Sequence, residues 1–256
     1  MNNEKENQIA NNYDFDLTGT WGLTNYFDTI VANRELAKYR LQSPTWFAIL
    51  IKIEIDSLEC FGSIEGAKYP LNRTNDTLAI LSPSITEHSW FLVRKGFELQ
   101  LIPIPNEENV DTTIYIFRKR DDLNSCFESS SLGINVTHYF NDVLFRGKYI
   151  NVETKQEVVF ADKGKLIGFD RFNRYKVRDY FGTLHPHNNL DVITFSNLDN
   201  DNKYKQYNWV FSEDELLLTE FVPEKVTDED GNSYDDWDSY VLGKEKIRLK
   251  KVENDK

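Results

Sequence analysis

Apolar residues alternate strictly in the segment WFAILIKIEID, positions 46–56, and this pattern restricts the possible folds of the chain more than any other. Every second residue from Phe47 to Ile55 is apolar, so these side chains would share one face of an extended strand. The opposite face begins apolar with Trp46 and becomes charged at Lys52 and Glu54. Such a strand is expected to be buried on both sides at one end and exposed on one side at the other.

The same alternation recurs along most of the chain and is typical of an all-β protein. Short turns at Lys95-Gly96 and at Asp162-Lys163-Gly164 predict hairpins. An aromatic content of 14% also favours strands, because aromatic side chains fit a pleated, half-buried surface. The other predicted strand segments are SLECFGSI, TLAIL, WFLVRKGFELQLIPI and TTIYIFRKR in the first half, and RGKYINV, EVVFADKGKLIGF, RYKVRDYFGTL, DVITFSN, YNWVFSEDELLLTEFV and SYVLGKEKIRLKKV in the second.

Two segments interrupt the strand pattern and are predicted to be helical. The first follows Asp28, which is a suitable N-cap, and ends at Pro44. The second covers 131–145, where apolar residues recur at spacings of three and four. We therefore predict a disordered polar segment at 1–14, a β domain at 15–120, a linker with a helix at 121–144, and a second β domain at 145–252.

The charge of the chain restricts its partners. A net charge of −12 and a pI of about 4.9 argue against nucleic-acid binding, which needs a cationic surface facing the phosphates. The same charge is compatible with a basic protein partner. No apolar run is long enough to span a membrane, and the polar segment 1–13 lacks the apolar core of a signal peptide. These observations predict a cytoplasmic protein, or a periplasmic or secreted one if a signal peptide has been removed.

No arrangement of residues in the sequence predicts catalysis. Cys60 and Cys126 form no Cys-x-x-Cys pair and are expected to be buried free thiols. His185 and His187 lie in a polar loop, HPHNN, which we expect to be exposed. No nucleophile, general base or cofactor-binding loop is recognisable from its spacing. We therefore predict a protein that is not an enzyme and that uses no cofactor.

One acidic segment, DEDGNSYDDWDS at 228–239, has the spacing of a calcium-binding loop. Its candidate ligands are Asp228, Asp230, Asn232 and Asp236, with a backbone carbonyl between the last two. The segment has Ser where such loops have a Gly and a final Glu, and strands flank it where helices are usual. It is either a weak calcium site or an acidic hairpin tip.

The two halves of the chain share an order of features that indicates an internal repeat. TGTW in the first half matches RGKY in the second, so Trp21 would correspond to Tyr149. A later tryptophan-initiated hairpin occurs in both halves, so Trp90 would correspond to Trp209. The alternative is a chance match between two series of alternating strands.

A Gly-x-aromatic first strand, a meander of short strands and an Arg in the last strand resemble the lipocalin-like (calycin) family. The second half is also similar to the small lipocalin-like domains common in bacterial proteins. The resemblance implies that Trp21 packs against Arg118, and Tyr149 against Arg248, across the barrel floor. It implies two tandem antiparallel meander barrels, with one larger barrel or a sandwich as the alternative.

Barrels of this size can enclose one small ligand. The sequence therefore predicts a non-catalytic protein that binds a small hydrophobic ligand in a barrel or at the seam between the halves. The same side chains can instead fill the core, and the protein can instead be an acidic inhibitor or immunity-type protein without a small ligand. The predicted inward-facing residues are Trp46, Leu50, Phe91 and Phe97 in the first half, and Tyr175, Phe195, Trp209 and Phe211 in the second.

Overall fold

The structure of the protein is a computed structural model. It consists mostly of β-strands, arranged in two sheets that follow one another along the chain. The residues that the structure describes are 17–42, 49–61, 66–75, 78–81, 90–104, 113–127, 136–169, 172–178, 187, 190–197 and 200–252. The predicted polar segment at 1–14 lies outside these residues.

The first unit is an eight-stranded antiparallel barrel in which each strand pairs with the next. β8 also pairs back to β1 through three residue pairs, from Trp21–Lys119 to Leu23–Phe117, and this pairing closes the ring. The strands are β1 (Gly19–Leu23), β2 (Leu50–Ile53), β3 (Ser57–Phe61), β4 (Gly66–Asn75), β5 (Leu78–Leu81), β6 (Trp90–Lys95), β7 (Glu98–Pro103) and β8 (Tyr115–Lys119).

The second unit repeats this plan. β10–β16 form a curled antiparallel meander, and β9 pairs with both β10 and β16, so that the sheet closes on itself. Its strands are β9 (Gly147–Asn151), β10 (Glu157–Phe160), β11 (Lys165–Phe169), β12 (Phe172–Val177), β13 (Val192–Asn197), β14 (Asn200–Ser212), β15 (Glu215–Thr227) and β16 (Ser233–Lys251). The strands belong to two separate sheets, so the alternative of one continuous barrel is wrong.

The first strand of each barrel is built in the same way. Trp21 is fully buried, and its Nε1 donates to the Leu17 carbonyl at 2.9 Å. Tyr149 is also buried, and its hydroxyl donates to the Phe145 carbonyl, again four residues earlier, at 3.0 Å. We call the end of each barrel at which this strand begins the lower end. In both units one aromatic side chain closes the lower end, as the repeat predicts.

The backbone at these two lower ends corresponds as well. The N–H of Arg120 donates to the Thr20 carbonyl, and the N–H of Val252 donates to the Lys148 carbonyl, each at 2.8 Å. Both strands start with a glycine at positive φ, 123° at Gly19 and 147° at its counterpart in β9. A Cβ on Gly19 would lie 2.8 Å from Cε of the last-strand lysine, Lys119. The repeat is therefore visible in hydrogen bonds and in backbone conformation.

The partners that the family resemblance implied for the two aromatic residues are wrong. The residue paired with Trp21 across the β1–β8 seam is Lys119, and Arg118 points the other way, towards Asp28 and Glu98. In the second barrel Tyr149 pairs with Lys251, whose Nζ lies 6.0 Å from the tyrosine ring centroid. On the outer surface, one guanidinium nitrogen of Arg248 instead donates to both carboxylate oxygens of Glu215. The inward cation in each last strand is a lysine.

A helix follows β1, as predicted, but it begins earlier. α1 (Thr24–Asn33) contains Asp28 in its interior, so Asp28 does not cap it. Asp28 instead accepts a hydrogen bond at 2.8 Å from Arg120, which also contacts Asp122 and the Tyr139 hydroxyl. A 3-10 helix, Ala37–Gln42, comes after α1, and a second one, Asp121–Phe127, follows β8. Arg120 therefore joins α1 to the second of these 3-10 helices and to Tyr139.

The linking helix is shorter than its sequence pattern predicts. α2 (Val136–Phe140) runs directly into a wider π-helical turn at Asn141–Phe145. The wider turn changes the buried face, so that Phe140, Leu144 and Phe145 are buried, whereas Val143 is 39% exposed. None of the helices in the described part of the chain is both long and apolar enough to cross a membrane.

Candidate functional site

The lower half of the second barrel is filled by aromatic side chains. The Phe160 and Tyr175 rings lie 4.9 Å apart, and Phe145 and Trp209 meet edge to face at 5.2 Å. Phe195 is fully buried beside Phe160. Tyr175, Phe195 and Trp209 are thus inside the barrel, as predicted, but they pack against each other and leave no room for a ligand among them.

Three of the first-half residues predicted to face the interior do not. Phe97 lies at the β6–β7 turn and is 86% exposed. Phe91 is on the face of β6 opposite to the buried Trp90 and Leu92, because side chains alternate along a strand. Leu50 is buried, but it pairs with Gly22 on the outer face of the barrel.

The outer face at Gly22 is covered by helices. A Cβ there would lie 2.9 Å from Leu123 and 3.0 Å from Phe27. This cover explains why Leu50 is buried without facing inwards. Trp46 lies outside the described residues. Ile55, predicted on the same face as its neighbouring isoleucines, is 79% exposed at the β2–β3 turn.

The upper half of the second barrel has a charged inner face. Lys205 of β14 pairs directly with the buried Phe195, so both side chains point inwards. Glu220 of β15 pairs with the buried Tyr207 and also points inwards. Glu245 of β16 joins them after a register shift between β15 and β16. The inner wall therefore changes from aromatic to charged along the barrel axis.

These charges form one hydrogen-bonded network. The Lys205 ammonium lies 2.8 Å from Glu220 Oε1 and 2.7 Å from Glu245 Oε2. The Tyr207 hydroxyl donates to Glu245 Oε1 at 2.8 Å. Burial alone would lower the pKa of Lys205 and raise the pKa of Glu245. The contacts outweigh burial, so the pKa of Lys205 is raised and the pKa of Glu245 is lowered, and both groups are charged at neutral pH.

Beside this network is a cleft of ≈ 280 Å³, which we call the upper chamber. Its apolar wall includes Phe169 and Phe172, whose rings rest on Phe195 at centroid distances of 4.5 Å and 6.3 Å. The chamber therefore combines an aromatic base with a charged rim. Its lining residues are Asn151, Thr154, Gln156, Val158, Gly168, Phe169, Phe172, Lys205, Tyr207, Glu245 and Ile247.

A second cleft, of ≈ 270 Å³, lies at the seam between the two units, and we call it the seam cleft. Asp191, just before β13, accepts hydrogen bonds from the backbone N–H groups of Leu36 and Ala37 at 2.8 Å and 2.6 Å. Trp209 Nε1 donates to the Arg34 carbonyl at 3.1 Å. Burial raises the pKa of Asp191 to about 6, although the two N–H donors oppose this shift.

Arg34 inserts a cation from the first unit at the lower end of the second barrel. It ends α1 in the left-handed conformation, with φ of 54°, a position where glycine is usual. Its guanidinium lies 4.7 Å from the centre of the Phe211 ring. Phe211 is the second residue from the β14–β15 turn. The second residue from the β6–β7 turn of the first barrel is Arg94, whose guanidinium lies 5.9 Å from the centre of the Trp21 ring. Phe211 thus borders the seam cleft and receives its cation from the other unit.

The same count corrects one detail of the repeat. Trp90 is the sixth residue from the β6–β7 turn, where it pairs with Pro103. In the second barrel the sixth residue from the β14–β15 turn is Tyr207, which pairs with Glu220. Trp90 therefore corresponds to Tyr207, and Trp209 lies one inward position lower.

The acidic segment of the calcium hypothesis forms the β15–β16 turn. Asp228 Oδ1 accepts hydrogen bonds from the backbone N–H groups of Asp230 and Asn232, and Asp228 Oδ2 accepts one from the Asn232 amide. These bonds lower the pKa of Asp228. Within the described residues no group of three or more His, Cys, Asp and Glu side chains is placed to hold a metal ion. The carboxylate oxygens of Asp228 thus accept hydrogen bonds from N–H groups within the turn, and calcium binding stays a prediction.

His187 is not in an exposed loop, contrary to the prediction. It is fully buried, and its ring stacks on Tyr240 at 4.6 Å and meets Phe221 edge to face at 4.7 Å. Its Nε2 is 2.9 Å from Gln206 Oε1, and burial lowers its pKa. The residue acts as a packing element on the outer face of β14. His185 lies outside the described residues.

Comparison of the chain with protein-family models, with curated proteins and with solved structures finds no match.

The charged residues of the upper chamber were missed at the level of sequence, although the signal was present. In YKQYNWVF the inward positions 205, 207, 209 and 211 follow a strict period of two. Extending the predicted Trp209–Phe211 face by two steps places Lys205 inside the barrel. The same extension of LLLTE from Leu216 places Glu220 inside.

Proposed function

We propose that this protein is a non-catalytic binding protein whose second barrel holds a small amphipathic ligand in the upper chamber. The observation that supports the proposal is the inward-facing Lys205–Glu220–Glu245 network above an aromatic floor. The side chains of this network are 20% to 41% exposed, so a ligand that enters the cleft from solvent can reach its charges.

The size of the chamber limits the ligand. Pockets for drug-sized molecules have volumes of roughly 300–1,000 Å³. The upper chamber, at ≈ 280 Å³, suits a smaller molecule with one polar end and one apolar end. The apolar end would rest on Phe169 and Phe172, and the polar end would face Glu245. Because the lower half of the barrel is filled, long-chain lipids are poor candidates.

The test is a screen of small amphipathic fragments against the full-length protein by ligand-observed NMR. Ile247→Phe adds volume to the chamber wall, and we expect it to abolish the binding of any hit. Ile167→Phe is the matched control, because Ile167 is 48% exposed on β11. If no fragment binds, or if Ile247→Phe binds as well as the wild type, the proposal is wrong.

The family resemblance becomes a proposal of the same kind. We propose that both units are lipocalin-like domains that arose by duplication. The matched hydrogen bonds at the lower ends and the shared meander order support a duplication. Within the pair, the first unit would act mainly as a support, and the second would carry the binding chamber.

A second candidate function is binding to a protein with a basic surface, favoured by the net charge of −12. Opposite charges speed association most at low ionic strength. The test is affinity purification of the tagged full-length protein from its native cells at low and at high salt. A basic partner recovered only at low salt would support it, and recovery of the protein alone at both would reject it.

A further inference from the structure

The charges of the network beside the upper chamber do not balance. Lys205 and Glu245 line the chamber, and Glu220, which also points into the barrel, contacts Lys205 without lining the chamber. The network thus carries one positive charge and two negative charges. One negative charge therefore remains uncompensated beside the aromatic wall. A ligand that enters this space loses part of its hydration, so its own charge must be matched by the protein.

The geometry also shows what kind of group these carboxylates hold. The ammonium of Lys205 bridges Glu220 and Glu245 at 2.8 Å and 2.7 Å, which are distances typical of charge-assisted hydrogen bonds. The two carboxylates are thus spaced to accept hydrogen bonds from an ammonium group. An anion that approached Lys205 would meet both glutamates at close range and would be repelled.

The apolar wall favours the same type of ligand. Phe169 and Phe172 are buried at the base of the chamber, and Tyr207 presents its ring beside the network. Aromatic faces attract organic cations through the ring quadrupole, and they bind the apolar part of such molecules by burial. An amine attached to a small aromatic or aliphatic group would satisfy both walls.

From this juxtaposition of two carboxylates, one lysine and an aromatic wall, we infer that the ligand of the upper chamber is a small organic monocation, with an amine at one end and an apolar group at the other. This inference rests on the proposed function and specifies its ligand class. The ligand ammonium would bind on the glutamate side of the network, and its apolar group would cover Phe169 and Phe172.

The test uses three probes of matched size on the full-length protein: phenethylamine, phenethyl alcohol and phenylacetate. Calorimetry at constant ionic strength would give their affinities, and shifts of backbone amide signals in NMR would locate the site. We expect phenethylamine to bind about tenfold more tightly than the alcohol, and phenylacetate to bind most weakly, since a hydrogen bond to a charged group is worth about one order of magnitude in affinity.

Glu245→Gln, at the carboxylate that lines the chamber, would then reduce the affinity for phenethylamine by about tenfold and leave that for the alcohol unchanged. Glu215→Gln is the matched control, because Glu215 lies on the neighbouring strand β15 and pairs with Arg248 on the outer surface. If Glu245→Gln does not fold, the order of the three probes on the wild-type protein still decides the matter.

Two negative outcomes are distinguishable. If the alcohol or phenylacetate binds in the chamber as tightly as phenethylamine, the ligand is not a cation, although the chamber remains a binding site. If none of the three binds at millimolar concentrations and the fragment screen also yields no hit, both the ligand class and the proposed function are wrong.

Discussion

Asp191 offers the sharpest test of how the two units are joined. Its carboxyl group has an ordinary pKa of 3.8 and a pKa of about 6 in the folded protein, because it is buried at the seam. Between these two values the folded state binds more protons than the unfolded state, so the free energy of unfolding must fall as the pH rises. A difference of about two units in pKa corresponds to about 3 kcal/mol in total.

Asp191→Asn removes the ionisation and keeps an oxygen that can accept the N–H groups of Leu36 and Ala37. We therefore expect the variant to gain stability over the wild type as the pH rises, by roughly 1.5 kcal/mol between pH ~5 and pH ~7.5. Urea denaturation of both proteins across this range measures the difference, in which the titration of all other groups cancels.

The control is Asp214→Asn, in an exposed turn where the carboxylate faces Lys250 at 3.1 Å. Its stability relative to the wild type should change little over the same pH range. A difference between Asp191→Asn and the wild type that does not vary with pH would refute the reasoning, because it would mean that burial at the seam does not disfavour the charged form of Asp191.

Three further predictions concern a strand glycine, a buried hydroxyl group and a buried thiol. Gly168→Ala should lower the free energy of unfolding by at least about 3 kcal/mol, because its φ is +73° and a Cβ would lie 2.0 Å from the Glu157 carbonyl oxygen. The control is Gly231→Ala in an open turn, which should cost only about 1 kcal/mol. Chemical denaturation measures both. Tyr149→Phe should lower the free energy of unfolding by about 1 kcal/mol, measured in the same way, through loss of the buried bond to Phe145. Cys126, whose pKa burial raises to about 12, should react with a thiol reagent at pH ~8 only as the protein unfolds, and rapid labelling of the native protein would contradict this.

Much of the fold follows from local sequence pattern, since alternation with a period of two identifies strands wherever one face is buried. The hairpin around Lys95-Gly96 and the helix after β1 are examples of predictions that the structure confirms. The faces of some strands were misassigned because a covering helix makes both sides apolar. The pattern predicts Leu50 as an inward residue for this reason, although it lies on the outer face, where Phe27 and Leu123 cover its strand partner Gly22.

The site was harder to predict, because it depends on relations that no local pattern contains. The inward direction of Lys205 follows from alternation, but its contact with Glu245 depends on a register shift between β15 and β16. The position of Arg34 over Phe211 joins residues from different units. A histidine in a polar loop also reads as exposed, and only tertiary packing on Tyr240 buries it.

The arginine that crosses between the units has a consequence for any attempt to separate them. Arg94 lies near the Trp21 ring within the first barrel, whereas the cation over Phe211 in the second barrel is Arg34 at the end of α1 in the first unit. A second unit expressed alone would keep Lys251 near Tyr149, but it would expose the face of Phe211 that Arg34 covers.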